Sequence, residues 1–249
     1  MPKQGIHHVI ILGCGRSGTS IFGELFEDLK PYKYYSEPYF DELLKSDFAR
    51  PVAVKVPRES PGYPPTLGLS FPLDILLQKI PDPKIIYWQV RHPLDTICSL
   101  KVGISKNWGH HPKPPDWKEW LERPLLERCT HHWNYINSQG FNQVKHIAKV
   151  TSFEEMIRNP RLFAKSVFKN IGLNPTEDKS DLVTWADRVQ DTNNELFIEA
   201  KTSRDYSRPD HKFRVGRWKE NLTPTEIRTI IPIVRKTASQ FGYTLDHEY

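Results

Sequence analysis

Eight consecutive residues, Gly13-Cys14-Gly15-Arg16-Ser17-Gly18-Thr19-Ser20, hold the densest chemistry in the sequence. They follow the short apolar run His8 to Leu12, which reads as a buried strand, and precede a segment with helical apolar spacing. A turn in that position presents backbone N–H groups and the positive end of a helix dipole to an anion. Three glycines let the backbone approach closely, Arg16 supplies a cation, and Ser17, Thr19 and Ser20 supply hydroxyls. The pattern therefore predicts a phosphate-binding loop. Gly13 and Gly18 keep the glycine spacing of a Walker A loop, but Thr19 stands in the lysine position and the cation has moved inside the loop, to Arg16. That change argues against ATP chemistry, which relies on the lysine at the β- and γ-phosphates and on Mg²⁺ at the next hydroxyl. A cysteine phosphatase would carry arginine six positions after Cys14, where Ser20 stands, so Cys14 reads as a small buried filler. The pairs His110-His111 and His131-His132 do not read as a metal site. Adjacent helical residues diverge by about 100°, and no cysteine joins them at ligand spacing, so no metal is expected.

The elements that must hold this loop alternate between strand and helix patterns. Thr19 to Lys30 carries Ile21, Phe22, Leu25, Phe26 and Leu29 at helical spacing and ends before Pro31. Val52 to Val56 and Lys84 to Val90 read as strands, and Pro72 to Lys79 and Pro93 to Val102 as helices. This order predicts an α/β fold with a mostly parallel sheet flanked by helices on both faces. Gly103 to Pro124, dense in Trp, His, Lys and Pro, reads as an irregular insert or substrate lid before a helix over about Leu125 to Ser138. A strand over Lys145 to Val150, two short helices over Phe153 to Ile171 broken near Pro160, and a closing helix over Thr223 to Phe241 complete the pattern. No linker divides the chain, so residues 1–249 are expected to form a single domain. Hydrophobic residues at 38% and charged residues at 26% suit a globular chain and argue against disorder or a coiled coil. The longest apolar runs are far shorter than the roughly 20 residues of a membrane span. The start Met-Pro-Lys-Gln-Gly lacks a signal-peptide core, and three cysteines form no framework, which predicts reduced thiols in a cytoplasmic setting.

The arrangement Gly-x-Gly-Arg-Ser-Gly-Thr-Ser resembles the 5′-phosphosulfate loop of sulfotransferases that use 3′-phosphoadenosine 5′-phosphosulfate (PAPS), whose fold is similar to that of P-loop NTPases. Three further segments match that family in order. Arg91-His92-Pro93-Leu94-Asp95-Thr96-Ile97-Cys98-Ser99 resembles the strand-end arginine and helical serine that hold the 3′-phosphate, a guanidinium and a hydroxyl being a sensible dianion clamp. Phe153-Glu154-Glu155 parallels a Tyr-Glu-Asp segment, which implies that Phe153 lies against the adenine. Val215-Gly216-Arg217-Trp218-Lys219 resembles the Gly-x-Trp-Lys segment that closes over the nucleotide. Here the resemblance implies phosphate contacts from Gly216 and from Lys212, Arg214 or Arg217, with Arg214 the first choice. The four matches run from Gly13 to Lys219, over four-fifths of the chain.

The resemblance also implies a mechanism: sulfuryl transfer in line from PAPS to an acceptor hydroxyl or amine, releasing 3′,5′-adenosine bisphosphate (PAP), with no metal and no covalent intermediate. Gly15, Arg16, Ser17, Gly18, Thr19 and Ser20 would hold the 5′-phosphosulfate, and Lys55 would support the bridging oxygen as it takes up charge. Cytosolic relatives place a base histidine two residues after that lysine, where Pro57 stands, and a stacking tryptophan where Ile21 stands. Other relatives use a glutamate after the first helix, which makes Glu37 the leading base and His110 or His111 the runner-up. Trp108, Trp117 and Trp120 on one side, and Tyr34, Tyr35 and Tyr39 on the other, are expected to wall the acceptor site. That composition suits a small molecule, a glycan or a peptide. A P-loop small-molecule kinase and a nucleotide-binding regulator without turnover are the competing readings. Between Lys201 and Lys219 seven Lys or Arg face two acidic residues, which accounts for the net charge of +5 and points to a small polyanion. Neither nucleic acid nor a membrane is an expected partner.

Overall fold

The computed structural model describes residues 5–104, 108–174, 179–189 and 215–245. Its centre is a five-stranded sheet with every described pairing parallel: β1 (His8–Gly13), β2 (Lys33–Ser36), β3 (Val52–Lys55), β4 (Lys84–Val90) and β5 (Ala148–Ser152), in spatial order β2-β3-β1-β4-β5. Each residue of β1 is buried, as expected of a strand covered on both faces. Alternation then separates two cores. Ile10, Leu12, Val54 and Trp88 face one, while Val9, Ile11, Ala53 and Tyr87 face the other.

Helices cover both sides. The first core is closed by α3 (Leu73–Lys79), α4 (Pro93–Ile104) and α5 (Leu125–Tyr135); the second by α1 (Thr19–Glu24), α7 (Phe153–Arg158), α8 (Pro160–Asn170) and α9 (Lys179–Val189). Two short helices, α2 (Phe40–Leu44) and α6 (Phe141–Val144), lie between these, and α10 (Trp218–Asn221) and α11 (Pro224–Ser239) end the described chain. Thr223 and Glu226 form a reciprocal capping box at the start of α11, with Pro224 in its first turn. Glu226 also accepts from Lys101 Nζ at 2.9 Å, tying α11 to α4.

Several boundaries differ from the expected ones. The first helix ends at Glu24 rather than Lys30, because Leu25, Phe26 and Glu27 continue in tighter turns with N–H groups bonded three residues back. The long helix expected to Ser138 ends at Tyr135 and passes into a π-helical turn, Ile136–Gly140. The fifth strand begins at Ala148, since Lys145 to Ile147 form the turn that leaves the helix Phe141–Val144, with Lys145 N–H donating to Phe141 O and Ile147 N–H to Val144 O. β2 and α2 had no clear signal: an edge strand reading Lys-Tyr-Tyr-Ser has no apolar run, and its residues are at most half-buried. Among the described residues no helix is long and apolar enough to cross a membrane.

Candidate active site

The loop after β1 is held in a shape that few residues tolerate. Gly18 has φ +89°, and a Cβ there would meet Phe153 Cδ2 at 2.4 Å, so both backbone freedom and space require glycine. Arg16 also adopts a left-handed backbone, with φ +68°. It is kept there from both ends: Arg91 Nη1 donates to the Arg16 carbonyl at 3.2 Å, and Arg16 Nε donates to Ser99 Oγ at 2.8 Å. Ser17 N–H donates to Cys14 O at 3.2 Å, closing the turn, while Ser17 Oγ is buried with no hydrogen-bond partner among the described residues. Thr19 and Ser20 open α1, and Ser20 Oγ accepts from Lys55 Nζ at 2.9 Å.

Beneath the loop, Phe153 is 2% exposed and belongs to the second core. The Arg91 guanidinium lies 4.2 Å from its ring centroid. Phe153 thus supports the loop and Arg91 together. Arg91 and Ser99 are both buried, and the structure joins them through Arg16, which spans from the loop to the α4 hydroxyl. The C-terminal segment reaches the same place. Asp95, 1% exposed in the first turn of α4, accepts from Gly216 N–H at 2.8 Å through Oδ2 and from Trp218 N–H at 2.9 Å through Oδ1. This bidentate cap sets Arg217, 9% exposed, close to Arg91 and Arg16. Burial first, and then those two like charges, push the Arg217 guanidinium down to about 10. Three guanidiniums at one end of a glycine-rich loop make a site for an anion. Lys212 and Arg214 lie outside the described residues.

At the other end of the loop stands an ion-pair network. Lys55, buried at the end of β3, donates to Glu37 Oε1 at 2.6 Å, and Arg58 Nη2 donates to Glu37 Oε2 at 2.7 Å. Burial alone would raise the Glu37 carboxyl; the two cations outweigh it and hold the group at about 2. The geometry therefore brings Ser20, Lys55 and Glu37 together. Arg58 was missed, because a lone arginine three positions after Lys55 carries no pattern of its own. Asp95 was missed as well, because an acidic residue in the first turn of a helix is ordinary.

The insert packs back on the loop. A Cβ on Gly15 would meet His110 Cβ at 3.3 Å, and His110 is neutral, pushed down to about 3 by burial and then by Arg16. His111 is also lowered, by burial and then Lys113. The aromatic walls expected around the acceptor need correction. Trp108 is fully buried, with Nε1 donating to His132 Nδ1 at 2.9 Å, so it is core. Trp120 stacks on His131 with centroids 3.9 Å apart, and both side chains bond Asp116. Tyr34 and Tyr35 alternate along β2 and pack against opposite cores, so they cannot share a wall. Tyr39, 51% exposed, lies 6.0 Å from the Arg58 guanidinium and stays at the surface near Glu37.

Comparison with known proteins places this geometry in a family. No curated protein sequence matches the chain. Among solved structures, mouse sulfotransferase SULT7A1 complexed with PAP shares 14% identity over 97% of this chain and 88% of its own, with a TM-score of 0.61. The sulfotransferase domain from the Synechococcus PCC 7002 olefin synthase shares 16% identity over 97% and 96%, with a TM-score of 0.58. Retinol dehydratase in complex with androsterone and inactive cofactor PAP shares 13% identity over 95% and 82%, with a TM-score of 0.55. These likenesses establish the α/β, P-loop-like sulfotransferase fold. A family model, the sulfotransferase domain, matches residues 7–242. With nearly the whole chain inside that match, the protein belongs to the sulfotransferase family.

Proposed function

We propose that the chain moves a sulfuryl group from PAPS to a hydroxyl or amine of an acceptor by in-line transfer. The observation that carries this reading is the division of cations along one loop: Arg91 and Arg217 gather at one end, Lys55 stands beside Ser20 at the other, and Arg16 belongs to the loop that joins them. A donor with a 3′-phosphate and a 5′-phosphosulfate has anionic groups at two such ends. The residues fit it: a buried loop hydroxyl at Ser17 awaits a partner, and an anion would relieve the like-charge crowding around Arg217. PAPS supplies, when bound, a sulfuryl group on a good leaving oxygen.

Arg91, Ser99, Gly216 and Arg217 would hold the 3′-phosphate, joined by Arg214 as the first-choice contact from outside the described residues. Arg16, with Gly15, Ser17, Gly18, Thr19 and Ser20, would hold the phosphosulfate, and Phe153, packed under the loop and Arg91, would lie against the adenine as the resemblance implies. Lys55 neutralises charge on the leaving oxygen, a preorganised electrostatic role. Glu37 accepts the acceptor's proton as the new bond to sulfur forms. Its ion pairs make it a weak base in the resting protein, so the transfer requires Lys55 to engage the donor and leave the carboxylate. His110, against Gly15 and neutral, is the second candidate for the base. Retinol dehydratase, which is similar in fold and forms complexes with androsterone and with retinol, favours a small-molecule acceptor. We read residues 1–249 as a single domain with 103–124 as its insert, acting in the cytoplasm.

The test is calorimetric titration with PAP in the presence of chelator, followed by mass-spectrometric search for sulfated products in an acceptor panel. Metal-independent binding and a sulfated product are expected. Absence of PAP binding overturns the reading. Binding without any sulfated product favours a regulator, and a requirement for Mg-ATP favours a kinase.

A further inference from the structure

Arg58 belongs to none of the segments that place the loop, yet it makes the second ion pair on Glu37. The backbones of the two residues are stitched together beyond the sheet. Glu37 N–H donates to Lys55 O at 2.9 Å, Arg58 N–H donates to Pro38 O at 2.8 Å, and Phe40 N–H donates to Arg58 O at 3.1 Å. Tyr39 and Arg58 pair as a parallel bridge, so β2 and β3 continue as a ribbon past their last strand residues. Glu37 sits at φ +49°, which turns its side chain out of the alternation of β2.

The two cations on Glu37 occupy different surroundings. The Lys55 side chain is 3% exposed and faces the loop through Ser20, whereas that of Arg58 is 40% exposed on the outer side. One cation is placed to engage a donor; the other lies against the carboxylate and, with its guanidinium 6.0 Å from the ring centroid, Tyr39. We propose that Arg58 is a positioning residue for sulfuryl transfer, anchoring Glu37 Oε2 so that the carboxylate stays at the acceptor when Lys55 turns to the leaving oxygen. This rests on the function proposed above. Proton accounting is simple: the acceptor's proton passes to the carboxylate, the acceptor bonds to sulfur, and the bridging oxygen departs with its electron pair on PAP. Without Arg58, Glu37 follows Lys55 or swings to solvent. The groups that face Glu37 electrostatically are Lys55 and Arg58 beside it, Tyr34 on β2, and His110 and His111 on the insert.

Arg58→Gln and Arg58→Lys test this. With an acceptor that the unaltered protein sulfates, Arg58→Gln is expected to leave PAP affinity unchanged and to lower kcat by at least about 10-fold, part of the roughly 10²–10⁴-fold that a positioned base contributes. The acidic limb of its pH profile should move up by about one unit, the scale of removing an adjacent opposite charge. Arg58→Lys, which keeps the charge and one N–H donor, should stay close to the unaltered protein. Unchanged kcat and pH profile in Arg58→Gln, or an Arg58→Lys variant that folds but is slow, overturns the proposal. A second measurement needs no acceptor: the ¹³C-labelled Glu37 carboxyl, assigned with Glu37→Gln, should titrate higher in Arg58→Gln by NMR. If it does not move, the proposal fails. If the unaltered protein binds no PAP, the functional reading fails instead.

Discussion

Replacing Asp95 by asparagine tests how the C-terminal segment is held over the loop. The carboxylate accepts two backbone N–H groups, from Gly216 at 2.8 Å and Trp218 at 2.9 Å, and is 1% exposed, so water does not replace either bond. Hydrogen bonds to a charged group contribute about 1.5–3 kcal/mol each, and they are not fully additive within one cap. Asparagine keeps one acceptor oxygen and turns an NH₂ toward the other N–H, so the loss is about 2–3 kcal/mol. Alanine loses both bonds and removes a carboxylate whose charge favours the Arg217 guanidinium, raising the cost to about 3–5 kcal/mol. Should the segment open locally, the apparent affinity for PAP falls by the change in its closed fraction, at most about 30–150-fold for asparagine at a factor of ten per 1.4 kcal/mol. The attenuation depends on how far the closed state leads in the unaltered protein. Urea unfolding gives the stability change, and calorimetry with PAP gives the affinity. The reasoning fails if Asp95→Asn and the more disruptive Asp95→Ala lose the stability assigned to them, about 2–3 and 3–5 kcal/mol, while PAP affinity stays the same in both. In that case the carboxylate holds the fold and has no hold on the anion site.

Three other outcomes are expected. Gly18→Ala must adopt φ +89° with a Cβ 2.4 Å from Phe153, so it should cost at least about 1–2 kcal/mol for the left-handed backbone and more for the clash, with partial recovery in Gly18→Ala/Phe153→Leu by urea unfolding. The Glu37 carboxyl is depressed to about 2 from 4.5, so its stabilising contribution is present above pH 4.5 and lost as pH falls toward 2; the stability gap to Glu37→Gln should shrink across that window. His110 is depressed to about 3 from 6.5, so the unfolded chain binds the extra proton and stability declines as pH falls from 6.5 toward 3. His110→Gln should flatten part of that decline, with His8, His111 and His132, all lowered chiefly by burial, contributing to the remainder.

What could be read from the residues follows from how local each signal is. β1, β3 and β4 carry apolar runs buried on both faces, and the phosphate loop carries its own punctuation, so these were legible with their order along the chain. β2 was not, because an edge strand needs little apolar surface and its Lys-Tyr-Tyr-Ser is decided by pairing with Val52 to Lys55. The same division runs through the site. Lys55 and Arg91 sit at strand ends, Ser99 in a helix and Arg16 in a turn that the pattern located, whereas Glu37 follows the unlocated β2 and came only from the resemblance; the sheet order brings β3, β1 and β4 side by side.

Contacts that depend on which face a side chain takes were out of reach. Trp108 looked like a binding-site aromatic by composition, but only the packing of the insert onto α5 shows that its indole N–H is spent on His132. Arg16 looked like a ligand of the loop alone, whereas its bond to Ser99 makes it the link between the loop and α4. The link has a mechanical consequence. An anion that draws Arg16 away from Ser99 also frees the hydroxyl, so the two ends of the anion site are coupled through one side chain. Arg16→Ala should therefore weaken PAP binding by more than the loss of one guanidinium contact, whereas Ser99→Ala should leave Arg16 free to seek the loop and weaken binding by less. Titrating the single and double variants with PAP measures that coupling; strictly additive losses would show that the two ends act separately.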